Sequence, residues 1–437
     1  MKNGTKDLEN HVDRKTNSKY DKDLDSEIIF EFGGPWGVTA MMFGFPTLMF
    51  YMWGCLQFHS GQLVSPLNFE LWKQIGEAYI APGPIVKGLP VPSLEGKQLD
   101  YLCNGFFSLY ATIATSFALH YYGWFRLTDI IDNFGPIMTI AIISGFTITV
   151  LVYAITVMQG KQHRMSGYLM YDLFMGAALN PRIGRVDLKI FAEIRIPWVI
   201  LFYISVSAAI KEYELFGYTS PAMAFMVLAH FLYVNACAKG EECIPTTWDM
   251  FYEKFGFMLI FWNFAGVPFT YSYATIFLHN YSIEHGGPIQ HLKYWTYLCY
   301  GLLLFGYYIW DTANSQKNKF RMANNGVHIK RYTFPQLPWG VLKNPSYIKT
   351  SHGNLILTGG WWGIARKIHY TADLMMAFSW GFITGFNSPI PYFYPLFFVV
   401  VLVHRVSRDM ERCAKKYGKD WEEYCKKVPY IFIPGVI

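Results

Sequence analysis

Apolar and charged positions along this chain segregate on the scale of whole helices. Eight apolar stretches contain no Asp, Glu, Lys or Arg: 32–59, 101–125, 133–160, 196–210, 215–238, 255–283, 294–310 and 374–404. A membrane-crossing helix needs roughly 20 apolar residues, fewer when flanking charged side chains reach out to the interface. Several of the stretches meet that length alone. The last contains "NSPIPYFYP", whose prolines at 389, 391 and 395 interrupt a helix. It reads as a hairpin of two short passes with its tip near Asn387 to Pro391. The pattern predicts an all-α polytopic membrane protein with nine or ten spans.

Two polar segments late in the chain set its sidedness. Residues 311–352 carry seven Lys or Arg and a single acid, Asp311, and residues 404–427 carry eight Lys or Arg against five acids. Short basic loops favour the cytoplasmic side. With both segments there, the hairpin between them must descend and return. Each arm within 374–404 is too short to span, so the descending arm borrows residues upstream. That pulls Arg366, Lys367, His369 and Asp373 toward membrane depth, where charge marks a polar cavity or a ligand.

Composition sharpens this picture. Of 437 residues, 52% are hydrophobic and 16% charged, below the roughly 25% charged share of a soluble domain. Residues 1–30 are hydrophilic, with six Lys or Arg against seven Asp or Glu, and read as a disordered tail without a cleavable signal peptide. Residues 31–437 read as one membrane domain. The net charge of +6 suits anionic lipid and a phosphate-bearing ligand rather than nucleic acid. Seven cysteines without C-x-x-C suggest neither a disulfide framework nor a zinc site. The histidines form neither H-x-x-H-H nor H-E-x-x-H, and no metal is expected. Asn3 and Asn280 fit glycosylation sequons.

Candidate chemistry gathers around the closing hairpin. On a helix, Arg366, Tyr370 and Asp373 share a face with His369 beside them, and Arg405, Arg408, Asp409, Arg412 and Lys416 repeat the same spacing. Lys317 and Arg321, in "SQKNKFR", lie in the basic loop before it. Convergent Arg and Lys suit phosphate, and Trp361, Trp362, Tyr417, Trp421 and Tyr424 can stack on flat rings. A dinucleotide with an additional phosphate uses all of these features, although basic residues at helix ends also serve as topology signals. With neither G-x-G-x-x-G nor a P-loop, such a site is not a Rossmann site. Earlier, "SGYLMYDLFMGAALNPRIG" places Asp172 to pair with Arg182 or Arg185, a structural role. Between two apolar runs lies "AKGEECIPTTWDMFYEKFGFMLIFWNFAGVPFTYSY", where Thr246 or Thr247 can cap a helix start with Asp249 near it.

These motifs together resemble the membrane sterol reductase family, which includes sterol C-14, C-7 and C-24(28) reductases. "GYLMYDLFMGAALNPR" is similar to its first signature and "LILTGGWWGIARKIHYTADLM" to its second. "RDMERCAKKYGKDWEEYCKKVPYIFIP" is similar to its C-terminal block, and the likeness covers residues 32–437. Many family members carry Asn where this chain has His369. With "FEFGGPWG" at 31–38, that looks like the fungal C-24(28) branch, the last step of ergosterol synthesis. It leaves the role of the ring at 369 open.

The resemblance implies an endoplasmic reticulum membrane enzyme that takes NADPH from the cytosol into residues 311–437 and a sterol of the ergosta-tetraenol type from the lipid. It implies cofactor contacts at Lys317, Arg321, Leu357, Trp362, His369, Tyr370, Asp409, Cys413, Lys416, Tyr417 and Tyr424, with Arg366, Asp373, Arg408 and Arg412 behind them. Hydride does not readily attack an unactivated alkene, so an acid must act first. Asp249, Glu242 and Tyr252 lead as proton donors, followed by Tyr271. A C-14 or C-7 reductase, an isoprenylcysteine-type methyltransferase and a non-catalytic sterol-binding scaffold are the rival readings. The methyltransferase leaves the first signature and "SQKNKFR" unexplained.

Overall fold

A computed structural model describes residues 30–58, 85–91, 97–102, 105–183, 186–324 and 334–436. The tail before residue 30, with Asn3, lies outside them, as do Cys103, Arg185 and the side chain of Glu242.

Each uncharged run is largely helical where it is described. The helices begin with α1 (Gly34–Phe58), α2 (Gly105–Tyr121), α3 (Phe134–Met158), α4 (Leu169–Met175), α5 (Leu188–Phe216) and α6 (Pro221–Lys239). After α7 (Phe257–Phe261) come α8 (Tyr273–Glu284), α9 (Lys293–Asn324), α10 (Ile368–Phe382), α11 (Phe393–Tyr417) and α12 (Lys419–Lys427). Three two-stranded antiparallel pairs accompany them: β1 (Ile85–Val91) with β2 (Lys97–Leu102), β3 (Arg182–Ile183) with β4 (Val186–Asp187), and β5 (Tyr347–Lys349) with β6 (Leu355–Leu357). Among the described residues, four helical segments are long and apolar enough to cross a membrane: Phe134–Met158, Leu188–Phe216, Pro221–Lys239 and Ile390–Tyr417. One apolar cluster runs through the bundle from Val38 to Tyr394.

Three details correct the expectations. The run 255–283 is no single α-helix: between α7 and α8 the backbone takes π-helical form over Trp262–Thr270. Pro268 removes one backbone donor inside that segment, and such bulges re-aim the side chains that follow. Asn280 is buried, its amide donating to the Leu56 carbonyl (2.8 Å), so it is no glycosylation acceptor. Lys317 and Arg321 lie not in a loop but on α9, which continues 14 residues past the uncharged run to Asn324.

The first signature and the acidic loop are built into each other. Asp172 accepts from the amides of Ser166 (2.8 Å) and Gly167 (3.1 Å), not from Arg182, which pairs with Asp187 (3.3 Å). Gly176, at φ +94°, crosses Gly256 so closely that a Cβ on Gly256 would lie 2.1 Å from the Gly176 nitrogen. Asp187 caps α5 through the amides of Lys189 (3.0 Å) and Ile190 (3.2 Å). The buried Lys189 ammonium donates to the carbonyls of Asp249 (2.7 Å), Met250 (3.1 Å) and Glu253 (2.7 Å). A lysine with three carbonyl acceptors keeps its charge satisfied away from water and pins the loop. Thr247 donates its hydroxyl back to the Ile244 carbonyl (2.8 Å), and the side chain of Thr246 lies outside the described ones.

Candidate active site

The hairpin forms as expected, with α10 and α11 joined through a turn and a short 3-10 segment at Ile390–Tyr392. Helix α10 packs most closely on α9, where Gly306 lets it approach: a Cβ there would come 3.0 Å from the Ala372 carbonyl oxygen. The "GGWWG" turn before α10 is fastened to α9. Trp362 donates its indole N–H to the Ala313 carbonyl (2.8 Å) and Trp361 donates to the Thr312 hydroxyl (2.8 Å). Gly360 must be glycine: its φ is +60° and a Cβ would meet Gln316 Oε1 at 2.4 Å. Leu357, on β6, packs with Phe320 behind Trp362.

On this frame the cations converge. The Lys317 ammonium lies 4.1 Å from the centre of the Trp362 ring and within electrostatic reach of Arg321, Lys367, Asp409 and Cys413. Cys413 in turn feels Lys416, and Arg321 feels Tyr417. His369 lies between Trp362 and Tyr370, with ring centres 4.9 and 4.1 Å away. Its Nδ1 is buried without a hydrogen-bond partner. Lys367 pairs with Asp409. Tyr424, in the base beside Trp421 and Val428, is within reach of Arg366, Cys413 and Asp409. Among the described residues neither Lys317 nor Arg321 forms an ion pair, and Arg321 is exposed. Two cations beside one carboxylate already taken by Lys367, next to flat rings, fit an anion joined to an aromatic group.

Other expected members point elsewhere. Arg366 precedes α10 and shares no helical face with Tyr370. Its guanidinium donates to Cys425 Sγ (2.7 Å) and the Pro429 carbonyl (2.9 Å). Beside it, the amides of Arg366 and Lys367 donate to the carbonyls of Tyr430 (2.9 Å) and Ile431 (2.8 Å), zipping residues 428–432 onto the start of α10. Helix α11 is two-sided, because adjacent helical residues point about 100° apart. Asp409, Cys413 and Lys416 face the cation cluster. Arg408 instead binds Glu31 (2.5 Å) and Glu253 (3.6 Å), and Arg412 lies 3.9 Å from Glu31, so neither stands behind the Lys317 cluster. Phe30 and Phe32 pack there on Tyr171 and Phe174 of α4.

Asp373 also turns away from the cluster, toward the bundle interior. It accepts from the Trp310 indole N–H (3.2 Å) and the Tyr233 hydroxyl (3.5 Å). Tyr233 and Trp310, with Tyr307, Met376 and Trp380, line a small apolar cleft between α6, α9 and α10.

The expected acids fare unequally. Asp249 binds Arg405 (3.0 Å), which lies within reach of Tyr370 and Asp409, so it stands beside the cluster as a paired carboxylate. Tyr252 lies under the Arg164 guanidinium (3.9 Å), on the Glu31 side of α11. Burial pushes its hydroxyl above the ordinary phenol value, against the pull of Arg164. Tyr271 is buried against Tyr394, ring centres 4.0 Å apart. Tyr233 and Trp310 were absent from the expected set, and Lys367 and Arg405 were expected in the charged faces but not as cofactor contacts. Lys367 and Arg405 carried a signal, standing two residues before His369 and one turn before Asp409, whereas nothing local marked Tyr233 or Trp310.

Residues 74–437 match the profile of the Ergosterol biosynthesis ERG4/ERG24 family. The chain belongs to this family. Delta(24(24(1)))-sterol reductase erg4A of Aspergillus fumigatus is 46% identical, over 94% of this chain and 93% of the relative. The Delta(24(24(1)))-sterol reductase of Gibberella zeae is 46% identical over 93% of this chain and 73% of its own length. A Delta(14)-sterol reductase of Methylotuvimicrobium alcaliphilum is 37% identical over 93% of this chain and 96% of its own. Family membership makes this chain a membrane oxidoreductase, consistent with the four apolar helical segments.

Proposed function

We propose that this protein reduces the C-24(28) double bond of a sterol side chain, using NADPH, as the last step of ergosterol synthesis. The observation that carries it is the unpaired cation pair Lys317 and Arg321 beside Trp362, with an apolar cleft one helical turn further in. The 46% identity to fungal relatives named for that bond favours it over C-14 or C-7 reduction, since the Delta(14) relative stands at 37%.

Lys317, Arg321 and Lys416 hold phosphate, and Trp362, His369 and Tyr370 supply flat surfaces for the rings, with Leu357, Tyr417 and Tyr424 shaping the wall. Asp409 holds Lys367 in place. When bound, the reduced nicotinamide supplies hydride. The chain's part is to bring the alkene against it, to protonate the terminal side-chain carbon first, and to keep water from the tertiary, allylic cation that results. The buried aromatic residues around the cleft serve that exclusion. The site opens to the cytosol from an endoplasmic reticulum membrane crossed nine or ten times. Residues 31–437 act as a single domain.

Purified protein given a 24(28)-methylene sterol and NADPH yields a product two mass units heavier. Cells lacking it accumulate the methylene sterol; accumulation of C-14 or C-7 unsaturated sterols instead reassigns the reaction.

A further inference from the structure

We propose that Asp373 is the proton source for the sterol alkene, acting through the Tyr233 hydroxyl. This deepens the reductase reading and rests on it. Asp373 lies on α10 one turn beyond His369 and Tyr370, so it stands between the cation cluster and the cleft. It is 7% exposed, and its hydrogen-bond partners, the Tyr233 hydroxyl and the Trp310 indole, are both uncharged. Among the described residues no cation pairs with it. A carboxyl removed from water without a cation beside it is carried as the neutral acid. Tyr233 and Tyr307 both bring phenol rings to the cleft, and of the two it is Tyr233 that hydrogen-bonds Asp373, which sits behind it.

The geometry gives a two-atom relay. The Tyr233 oxygen passes its proton to the terminal CH2 carbon of the side chain, and the Asp373 carboxyl proton moves onto that oxygen. The alkene π pair becomes the new C–H bond, leaving a cation at the branch carbon and a carboxylate at Asp373. That carboxylate faces the cation as its counter-charge, steadied by the Trp310 N–H. Hydride from a reduced nicotinamide dinucleotide phosphate closes the cation, and a solvent proton restores Asp373. By contrast Asp249, already paired with Arg405, has no such freedom.

The test uses purified full-length Asp373→Asn and Tyr233→Phe. The probes are the methylene sterol with NADPH and a side-chain azasterol whose protonated nitrogen stands where the cation would form. For Asp373→Asn we expect single-turnover reduction slowed about 100-fold or more, azasterol affinity weakened at least about 10-fold for the lost counter-charge, and NADPH affinity within about two-fold of wild type. Tyr233→Phe loses rate similarly but keeps azasterol affinity, because the carboxyl remains. Wild-type rate in either variant, or unchanged azasterol affinity in Asp373→Asn, overturns the proposal. Failure of the wild-type protein to reduce the sterol would instead sink the reductase reading, which separates the two.

Discussion

The Lys317 ammonium rests 4.1 Å from the centre of the Trp362 ring, on a helix that continues well past its apolar run. A cation over an indole is attracted to the ring face but keeps its donors free for a further ligand. Replacing it therefore removes ligand affinity rather than fold. Lys317→Met is expected to weaken NADPH binding about 10- to 100-fold, the worth of one charge-assisted phosphate contact, with the melting temperature nearly unchanged. Titration calorimetry alongside a thermal melt checks both halves.

Adjacent residues on α11 should behave as opposites. Asp409→Ala frees Lys367 and disorders the cluster, so NADPH affinity falls. Arg408→Ala breaks the contact with Glu31 and Glu253, lowering stability by about 1–3 kcal/mol, while NADPH affinity stays. Equal loss of affinity in both would refute the two-sided assignment of this helix.

The crossing of Gly176 and Gly256 leaves no room for a methyl group. Gly256→Ala forces two backbones apart, a change of the rare kind that costs more than about 4 kcal/mol. Little folded protein is expected on size exclusion in detergent, and a well-behaved, active Gly256→Ala would contradict the packing.

Burial lowers the Lys254 ammonium from its ordinary value to about 8, against the pull of Asp172. A folded value below the unfolded one means that the unfolded chain holds the extra proton between them. Stability from this group therefore rises as pH climbs from about 8 toward 10.5, and the burial cost is fully present below pH 8. The gain is on the order of 3 kcal/mol. Denaturation followed across that window in wild type and Lys254→Met isolates it: the slope difference disappears in the variant if the assignment holds.

Much of this was legible beforehand because it is local. Absence of charge over a run marks a helix whatever its neighbours, and prolines at 389, 391 and 395 announced the hairpin. The gathering of cations was legible for a related reason: lysine and arginine stand at helical spacing beside tryptophan. The faces were not. Arg366 was expected on the helix, yet the "GGWWG" turn and the strand-like tail at 430–432 hold it outside. Arg408 and Asp409 are neighbours in sequence and face different partners, because a partner such as Glu31 lies 377 residues away. Asp373 was expected behind the cofactor contacts, but Tyr233 and Trp310, 140 and 63 residues distant, turn it inward. Contacts of that separation leave no trace in a window of sequence.

The crowd of like charges around Lys317 has a further effect when nothing occupies it. Lys317, Arg321 and Lys367 repel one another across a short distance, with one carboxylate among them. Dissolved ions then act in two directions: raising ionic strength relaxes the repulsion and steadies the bare protein, yet competes with the dinucleotide for the same attraction. Phosphate buffer would carry this furthest, preserving the enzyme in storage while dulling it in assay.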